Sequence, residues 1–145
     1  MKKMPVIEKV FEAWTALADN RVTMEPESAR VSSSDGEKTY TVRFAGDQYS
    51  SDDNATYWQG YPGYPIIAVL MLQGKLPYDK EEADLWKNIN WTLTNKRHKN
   101  NYKAAVEEIA KERDIDLETS YKEAQAVMDA LSALPIEIKR KIKAQ

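Results

Sequence analysis

The sequence predicts one soluble α+β domain, in which an N-terminal amphipathic helix and a small antiparallel β-sheet precede four to five helices in the C-terminal half. Three observations support this fold class. A chain of 145 residues is long enough to bury one core without metal ions or disulfides. Its 42% hydrophobic and 30% charged residues are typical of a globular protein. The spacing of apolar residues changes along the chain from helical to strand-like and back, which indicates both kinds of element.

The first predicted element is a helix over residues 5–18. Apolar residues recur there at three-and-four spacing and share one stripe: Ile7, Val10, Phe11, Trp14, Leu17 and Ala18. Pro5 suits the first helical turn, and Asn20 suits a left-handed stop because asparagine tolerates positive φ. We therefore expect an amphipathic helix that packs on the core.

A β-hairpin over about residues 28–45 is predicted next. Two segments, 29–33 and 40–44, alternate apolar and polar residues. Between them stands Asp35-Gly36, a strong signal for a two-residue primed turn, because such a turn needs positive φ. A two-stranded ribbon is only marginally stable alone, so a third strand or a covering helix is required. Residues 21–25 and 46–51 are candidate strands.

The apolar run 66–72 fits either a buried strand or a short buried helix, since periodicity does not separate the two. Pro65 suits a first helical turn, and Gly74 stands where a C-terminal cap would. These flanking residues favour the helix.

Three further helices are predicted before residue 134. Asp79 begins a capping box, which predicts a helix over about 80–94. The polar run 95–101 interrupts the apolar stripe, so we expect a break there and a new helix from residue 102. A last stripe predicts a helix over 117–133.

We assign residues 1–134 to a single domain and residues 135–145 to a basic C-terminal tail. Ile138 and Ile142 lie one helical turn apart, but the apolar residues of the tail also alternate. Both a short helix and a short strand therefore remain open for the tail.

Composition argues against most kinds of catalysis and against export. The chain has no cysteine, which excludes disulfides, a thiol nucleophile and thiolate zinc sites. His98 is the only histidine, and its basic neighbours make it a poor general base. We therefore predict no catalytic residue, no metal site and no cofactor. Glu8 and Glu12 interrupt the N-terminal apolar run, so we predict no signal peptide and a cytoplasmic protein.

The segment YWQGYPGYP, residues 57–65, is the main candidate binding surface. It holds four aromatic rings, two glycines, two prolines and no charge. Aromatic rings bury a large area at low entropy cost, and prolines stiffen the backbone, which favours a rigid contact loop. Inward-turned rings that pack the loop on its own domain are the structural alternative. The predicted contact residues are Tyr57, Trp58, Tyr61 and Tyr64, for an unknown protein or small molecule or a second copy of the chain, but not a membrane.

Two alternative functions use charged residues. Nucleic-acid binding would use the basic cluster 96–103 and the basic tail, whose charges can neutralise phosphates. The residues of this cluster are Lys96, Arg97, His98, Lys99 and Lys103. A net charge of −2 and a pI near 5.5 mean that any basic site is local. A small-ligand or divalent-metal-dependent enzyme would use the acidic loop 47–54, whose spacing does not match a calcium-binding loop.

Overall fold

The computed structural model describes residues 3–142, and within them the predicted α+β fold is confirmed. An N-terminal helix precedes a five-stranded, mostly antiparallel sheet, and helices form most of the remaining chain. In chain order the elements are α1 Lys9–Ala18, β1 Val22–Met24, β2 Ser28–Ser32, β3 Thr39–Ala45, β4 Gln48–Ser51, α2 Asn54–Gln59, α3 Tyr64–Leu72, α4 Lys80–Leu85, α5 Trp91–Arg97, α6 Tyr102–Arg113, α7 Leu117–Ala133 and β5 Glu137–Ile138.

The sheet has the strand order β1-β2-β3-β4-β5, and the predicted hairpin is confirmed as β2 and β3. Its connection spans residues 33–38, so the two-residue primed turn is wrong. Asp35 Oδ1 accepts hydrogen bonds from Ser33 Oγ at 2.6 Å and from the backbone of Glu37 at 3.0 Å, which closes a wider loop. Gly36 supplies the positive φ of 75° in this loop.

Both candidate strands beside the hairpin are present, as β1 and β4. The tail also joins the sheet. Residues 137–138 form β5, which pairs in parallel with β4 and places Ile138 opposite Tyr49. The open choice between helix and strand is therefore resolved as a strand at these two positions.

Helix α1 lies within the core. Nine of its ten residues are buried, and it packs against α3, α4 and α7. Phe11 lies edge-on to Trp86, with ring centroids 4.7 Å apart. Thr15 Oγ1 accepts a hydrogen bond from Trp91 Nε1 at 2.8 Å and donates to the Trp86 carbonyl at 2.5 Å. The predicted stripe is thus one side of a helix that is buried nearly all round and begins at Lys9 rather than at residue 5.

The predicted helix ends at Asn20 and Gly74 are confirmed. Both residues follow a helix and have positive φ, 54° and 76° respectively. The run 66–72 is helical, since it forms most of α3, and Pro65 lies in the first turn of that helix.

The single helix predicted over 80–94 is wrong, because the chain forms α4 and α5 with a non-helical connection between them. Asn88 has a φ of 57°, and the side chain of Asn90 caps α5. Trp86 and Ile89 are buried within this connection. The apolar stripe therefore continues across the break, and spacing alone does not reveal it.

The remaining helix predictions are confirmed. The chain leaves the helical conformation within residues 98–101, where Lys99 and Asn100 both have positive φ. The next helix, α6, begins at residue 102, and α7 covers the predicted range 117–133.

Candidate functional site

The aromatic segment 57–65 does not form a single loop, contrary to the sequence-based expectation. Tyr57 and Trp58 lie in the short helix α2, and Tyr64 begins α3. Only residues 60–63 connect the two helices. Tyr57, Trp58 and Tyr64 therefore project from helical backbone, whereas Tyr61 projects from the connection.

Helix α2 is anchored at both ends. Asp53 Oδ2 accepts a hydrogen bond from the Thr56 backbone at 3.1 Å, and Oδ1 accepts one from Ser51 Oγ at the end of β4. Gly60 ends the helix with a φ of 77°. Gly63 N donates to Thr56 Oγ1 at 3.0 Å, and a Cβ on Gly63 would lie 2.3 Å from Asp53 Oδ2. The close approach of Gly63 to the cap of α2 therefore requires glycine.

The four predicted contact residues lie at different depths. Trp58 is 66% exposed and Tyr57 is 38% exposed, and their ring centroids are 4.8 Å apart. Tyr61 is half-buried. Tyr64 is half-buried with its ring edge-on to Tyr40, and burial raises the pKa of its hydroxyl. Tyr57 and Trp58 are therefore open to a partner, whereas Tyr64 lies deeper.

The basic tail returns to helix α2. The guanidinium carbon of Arg140 lies 4.6 Å from the ring centroid of Tyr57 and 5.0 Å from that of Trp58. Lys3 Nζ donates to the Gln59 carbonyl at 3.0 Å, at the C-terminal end of the helix. A cation close to an aromatic face is attracted by the ring quadrupole. Two features that were predicted as separate candidates, the aromatic segment and the basic tail, thus form one surface.

The rest of the basic tail contributes less to this surface. Lys139 Nζ pairs with the Glu137 carboxylate at 3.5 Å, and Lys141 is exposed. Lys143 lies outside the described residues.

Trp58 contributes to the walls of two clefts. The larger, which we call the tyrosine cleft, has a volume of about 480 Å³. It is lined by aromatic rings, carboxamides and one ammonium: Trp58, Tyr61, Tyr102, Asn54, Gln59 and Lys9. The smaller, which we call the arginine cleft, has a volume of about 340 Å³ and includes Tyr57, Trp58, Ile138 and Arg140. Both volumes fall in the range of small-ligand sites, roughly 300–1,000 Å³. The exposed rings and these two clefts together are the aromatic surface.

A third cleft, of about 160 Å³, shares Lys9 and Asn54 with the tyrosine cleft and holds an ion pair. Lys9 Nζ lies 3.1 Å from Glu12 Oε2 and 4.4 Å from the ring centroid of Tyr102. Burial raises the pKa of Glu12. Burial alone would lower the pKa of Lys9, but the Glu12 carboxylate and Tyr102 together raise it above its ordinary value. Lys9 therefore stays protonated.

Sequence reasoning missed the Lys9–Glu12 pair. The two residues are spaced i, i+3 on α1, where an amphipathic helix would place them in solvent. In the folded chain, α2 lies beside both residues in the third cleft, and Tyr102 of α6 lies beside Lys9 in the tyrosine cleft. The i, i+3 spacing of opposite charges was the one available signal.

The basic cluster 96–103 is partly neutralised. Arg97 Nη2 donates to Glu108 Oε2, and His98 Nε2 lies 3.2 Å from Glu108 Oε1. The hydrogen bond from Arg97 is the main cause that holds the pKa of Glu108 below its ordinary value. The other members of the cluster are exposed: Lys96, Lys99 and Lys103.

The prediction that residues 47–54 form a loop is wrong, because strand β4 occupies the middle of this segment and α2 begins at its end. Asp52 Oδ1 accepts a hydrogen bond from the Thr41 backbone at 2.8 Å, and Asp53 caps α2. Within residues 3–142, no three His, Cys, Asp or Glu side chains are grouped as a metal site requires. None of the described helices is long and apolar enough to cross a membrane.

One of three comparisons with known proteins gave a match. The model of a family described as "Uncharacterised conserved protein UCP014422" matches residues 2–137. No curated protein and no solved structure matches the chain. The matched residues include every side chain of the tyrosine cleft and end three positions before Arg140.

Proposed function

This chain belongs to the family of uncharacterised conserved protein UCP014422, and on that premise we propose that it is a non-enzymatic binding module that contacts its partner through the aromatic surface. One observation carries the proposal. Trp58 is 66% exposed, whereas the other three tryptophans are at most 3% exposed. The Trp58 ring adjoins the exposed Tyr57 ring in the wall of the arginine cleft, and contiguous exposed apolar surface is typical of an interaction site.

The free energy available from covering Trp58 is considerable. An aromatic side chain buries about 150–250 Å² when it is fully covered. Two thirds of that area, at about 25 cal/mol per Å², corresponds to roughly 2.5–4 kcal/mol. A partner that covers the ring gains this term, which is the size of a binding hot spot.

The rigidity of α2 supports binding rather than a mobile lid. Asp53 and Gly60 fix the two ends of the helix, and Pro62 and Gly63 behind it are buried. A surface that is already ordered loses little conformational entropy when a partner binds.

The positive charge of the aromatic surface restricts which partners can bind there. Arg140 and Lys3 are exposed cations beside the rings. A partner that offers an aromatic or apolar group next to a negative charge complements them. A second copy of the chain suits the surface less well, because a two-fold contact through this face would bring the same cations together.

We propose further that the protein binds its partner in the cytoplasm and does not catalyse a reaction. The carboxylates nearest the clefts already have partners, since Glu12 pairs with Lys9 and Asp53 caps α2. A chain without cysteine has no need of an oxidising compartment.

The test is a ¹H–¹⁵N correlation spectrum of the labelled protein, recorded against a panel of small aromatic acids and acidic aromatic peptides. We expect the indole N–H signal of Trp58 and the backbone signals of α2 to shift. Trp58→Ala should abolish these shifts, and Leu93→Ala should leave them unchanged, since Leu93 is an exposed apolar residue in α5 outside both clefts. Shifts confined to residues 47–52 or 96–103, or no shift with any compound, would refute the proposal.

A further inference from the structure

Resting on the proposed function, we infer that the aromatic surface binds a nucleotide. The base lies in the tyrosine cleft against Trp58, and the phosphate lies near Arg140, in the adjoining arginine cleft, and near Lys3 at the C-terminal end of α2. The same chemistry is offered by a free mononucleotide and by a nucleotide within a single strand of DNA or RNA. Three features of the surface specify this ligand class.

The first feature is an exposed aromatic ring, that of Trp58, which can stack with a base. Arg140 lies close to Trp58, and the indole also forms part of the tyrosine cleft wall, together with the rings of Tyr61 and Tyr102. Nucleic-acid bases stack on aromatic side chains because every base has a π-face. The cleft volume of about 480 Å³ lies within the range of small-ligand sites, roughly 300–1,000 Å³.

The second feature is the pair of carboxamides in the same cleft. Asn54 and Gln59 stand at the two ends of α2, and both are exposed. A carboxamide presents one donor and one acceptor side by side, which matches the edge of a heteroaromatic base such as adenine. Lys9 adds a protonated ammonium beside Tyr102.

The third feature is the exposed positive charge. The Arg140 guanidinium has a planar fork of donors that suits two oxygens of a phosphate, and Lys3 adds a point charge at the end of α2. The acidic groups nearby are engaged: Glu137 pairs with Lys139, and Asp53 is buried and hydrogen bonded. Within residues 3–142, a phosphate beside α2 therefore meets two cations, Arg140 and Lys3, that form no ion pair with a carboxylate.

These three features together favour a nucleotide over other ligands. A neutral sugar would use the rings and the carboxamides but has no charge for Arg140. An acidic peptide would use the cations and the rings but does not require two carboxamides in one cleft. The basic cluster 96–103 is a poorer phosphate site, because Glu108 already holds Arg97 and His98.

The experiment measures binding by the fluorescence of the intact protein, since Trp58 is the one exposed tryptophan of four. The probes are adenosine 5′-monophosphate, adenosine and a short single-stranded oligodeoxyadenylate, each titrated at low and moderate salt. We expect the monophosphate to bind more tightly than adenosine. If the affinity for the oligonucleotide is no higher than that for the monophosphate, the ligand is a free nucleotide. If the affinity for the oligonucleotide is markedly higher, the ligand is a nucleotide within a single strand.

Variants locate the site. Because Trp58→Ala removes the fluorescent reporter, binding to that variant is followed by the backbone signals of α2 in the ¹H–¹⁵N correlation spectrum. Trp58→Ala should weaken binding about 5- to 150-fold, the effect of losing one stacked base. Arg140→Gln should weaken binding of the phosphorylated probes only, and should lower the salt slope for the oligonucleotide by about 0.7. Lys96→Gln is the matched control, because it removes an exposed cation from the other basic cluster, and it should have no effect.

Three results would overturn the inference: no binding of any phosphorylated probe at low salt, equal affinities for adenosine and its monophosphate, or a loss of affinity in Lys96→Gln but not in Arg140→Gln. The experiment distinguishes an error in the ligand class from an error in the proposed binding function. If acidic aromatic peptides shift the Trp58 indole signal and nucleotides do not, the module stands and only the ligand class is wrong.

Discussion

Substitution of Gly63 by alanine tests how α2 is held on the sheet. Gly63 has a φ of −80°, which alanine adopts freely, so the whole effect is steric. The new Cβ would lie 2.3 Å from Asp53 Oδ2 and 3.3 Å from Ala55 Cβ. Non-bonded heavy atoms prefer about 3.5–4.0 Å, so the carboxylate has to move by roughly 1 Å. That movement strains the hydrogen bonds that cap α2.

The expected loss of stability combines two effects. Overpacking of a buried site costs about 1–3 kcal/mol, and a weakened N-terminal cap costs about 1 kcal/mol more. We therefore expect Gly63→Ala to lower the free energy of unfolding by roughly 2–4 kcal/mol. At about 3 °C per kcal/mol for a domain of this size, the melting temperature falls by roughly 6–12 °C.

The assay is urea unfolding followed by far-UV circular dichroism. Gly46→Ala is the control, because its Cβ meets no atom within 4 Å and its effect comes only from a φ of 58°. A second arm combines Gly63→Ala with Asp53→Ala, which removes the carboxylate that the new methyl group meets. We expect Gly63→Ala to cost less in that background. Equal cost in both backgrounds, or a loss below about 0.5 kcal/mol, would refute the proposed contact.

Two further predictions concern the core. Thr15→Val removes the acceptor for the buried Trp91 Nε1–H and should cost about 1–3 kcal/mol in urea unfolding, whereas Thr23→Val on the exposed edge strand β1 should change stability by less than about 0.5 kcal/mol. Burial and a hydrogen bond to Glu8 at 2.8 Å raise the pKa of Tyr121 above the 10.0 of a free tyrosine. Because the pKa of Tyr121 is higher in the folded state, its hydroxyl contributes stability that is fully present below pH 10 and is lost as pH rises toward the folded-state pKa. The free energy of unfolding of the native chain should therefore fall more steeply above pH 10 than that of Tyr121→Phe. Parallel slopes for the two proteins would contradict the shift.

Local sequence signals were sufficient for most of the fold. The stripe on α1, the hairpin and the left-handed residues Asn20 and Gly74 all follow from backbone preferences of single residues or from short-range spacing. Two signals were present but overlooked. Asp53 and Gly60 bracket α2 as a cap and a stop, and Asn88 and Asn90 mark the break before α5.

The composition of the candidate site depends on contacts that have no local pattern. Arg140 lies more than eighty positions from Tyr57 and Trp58, and it reaches them because β5 adds to the edge of the sheet beside β4. Strand β5 has only two residues, and its partner is set by tertiary packing rather than by its own alternation. The aromatic residues could therefore be identified from the sequence, whereas the contact between Arg140 and these rings could not.

The most direct test of the aromatic surface compares quenching of tryptophan fluorescence by iodide and by caesium ions. One of the four tryptophans is exposed, and Arg140 stands beside it, so iodide should quench a distinct fraction of the emission and caesium should quench it less. Trp58→Phe should remove that fraction, and Arg140→Gln should bring the two quenchers closer together. Equal quenching by both ions in the native chain, or an accessible fraction that persists in Trp58→Phe, would contradict the account.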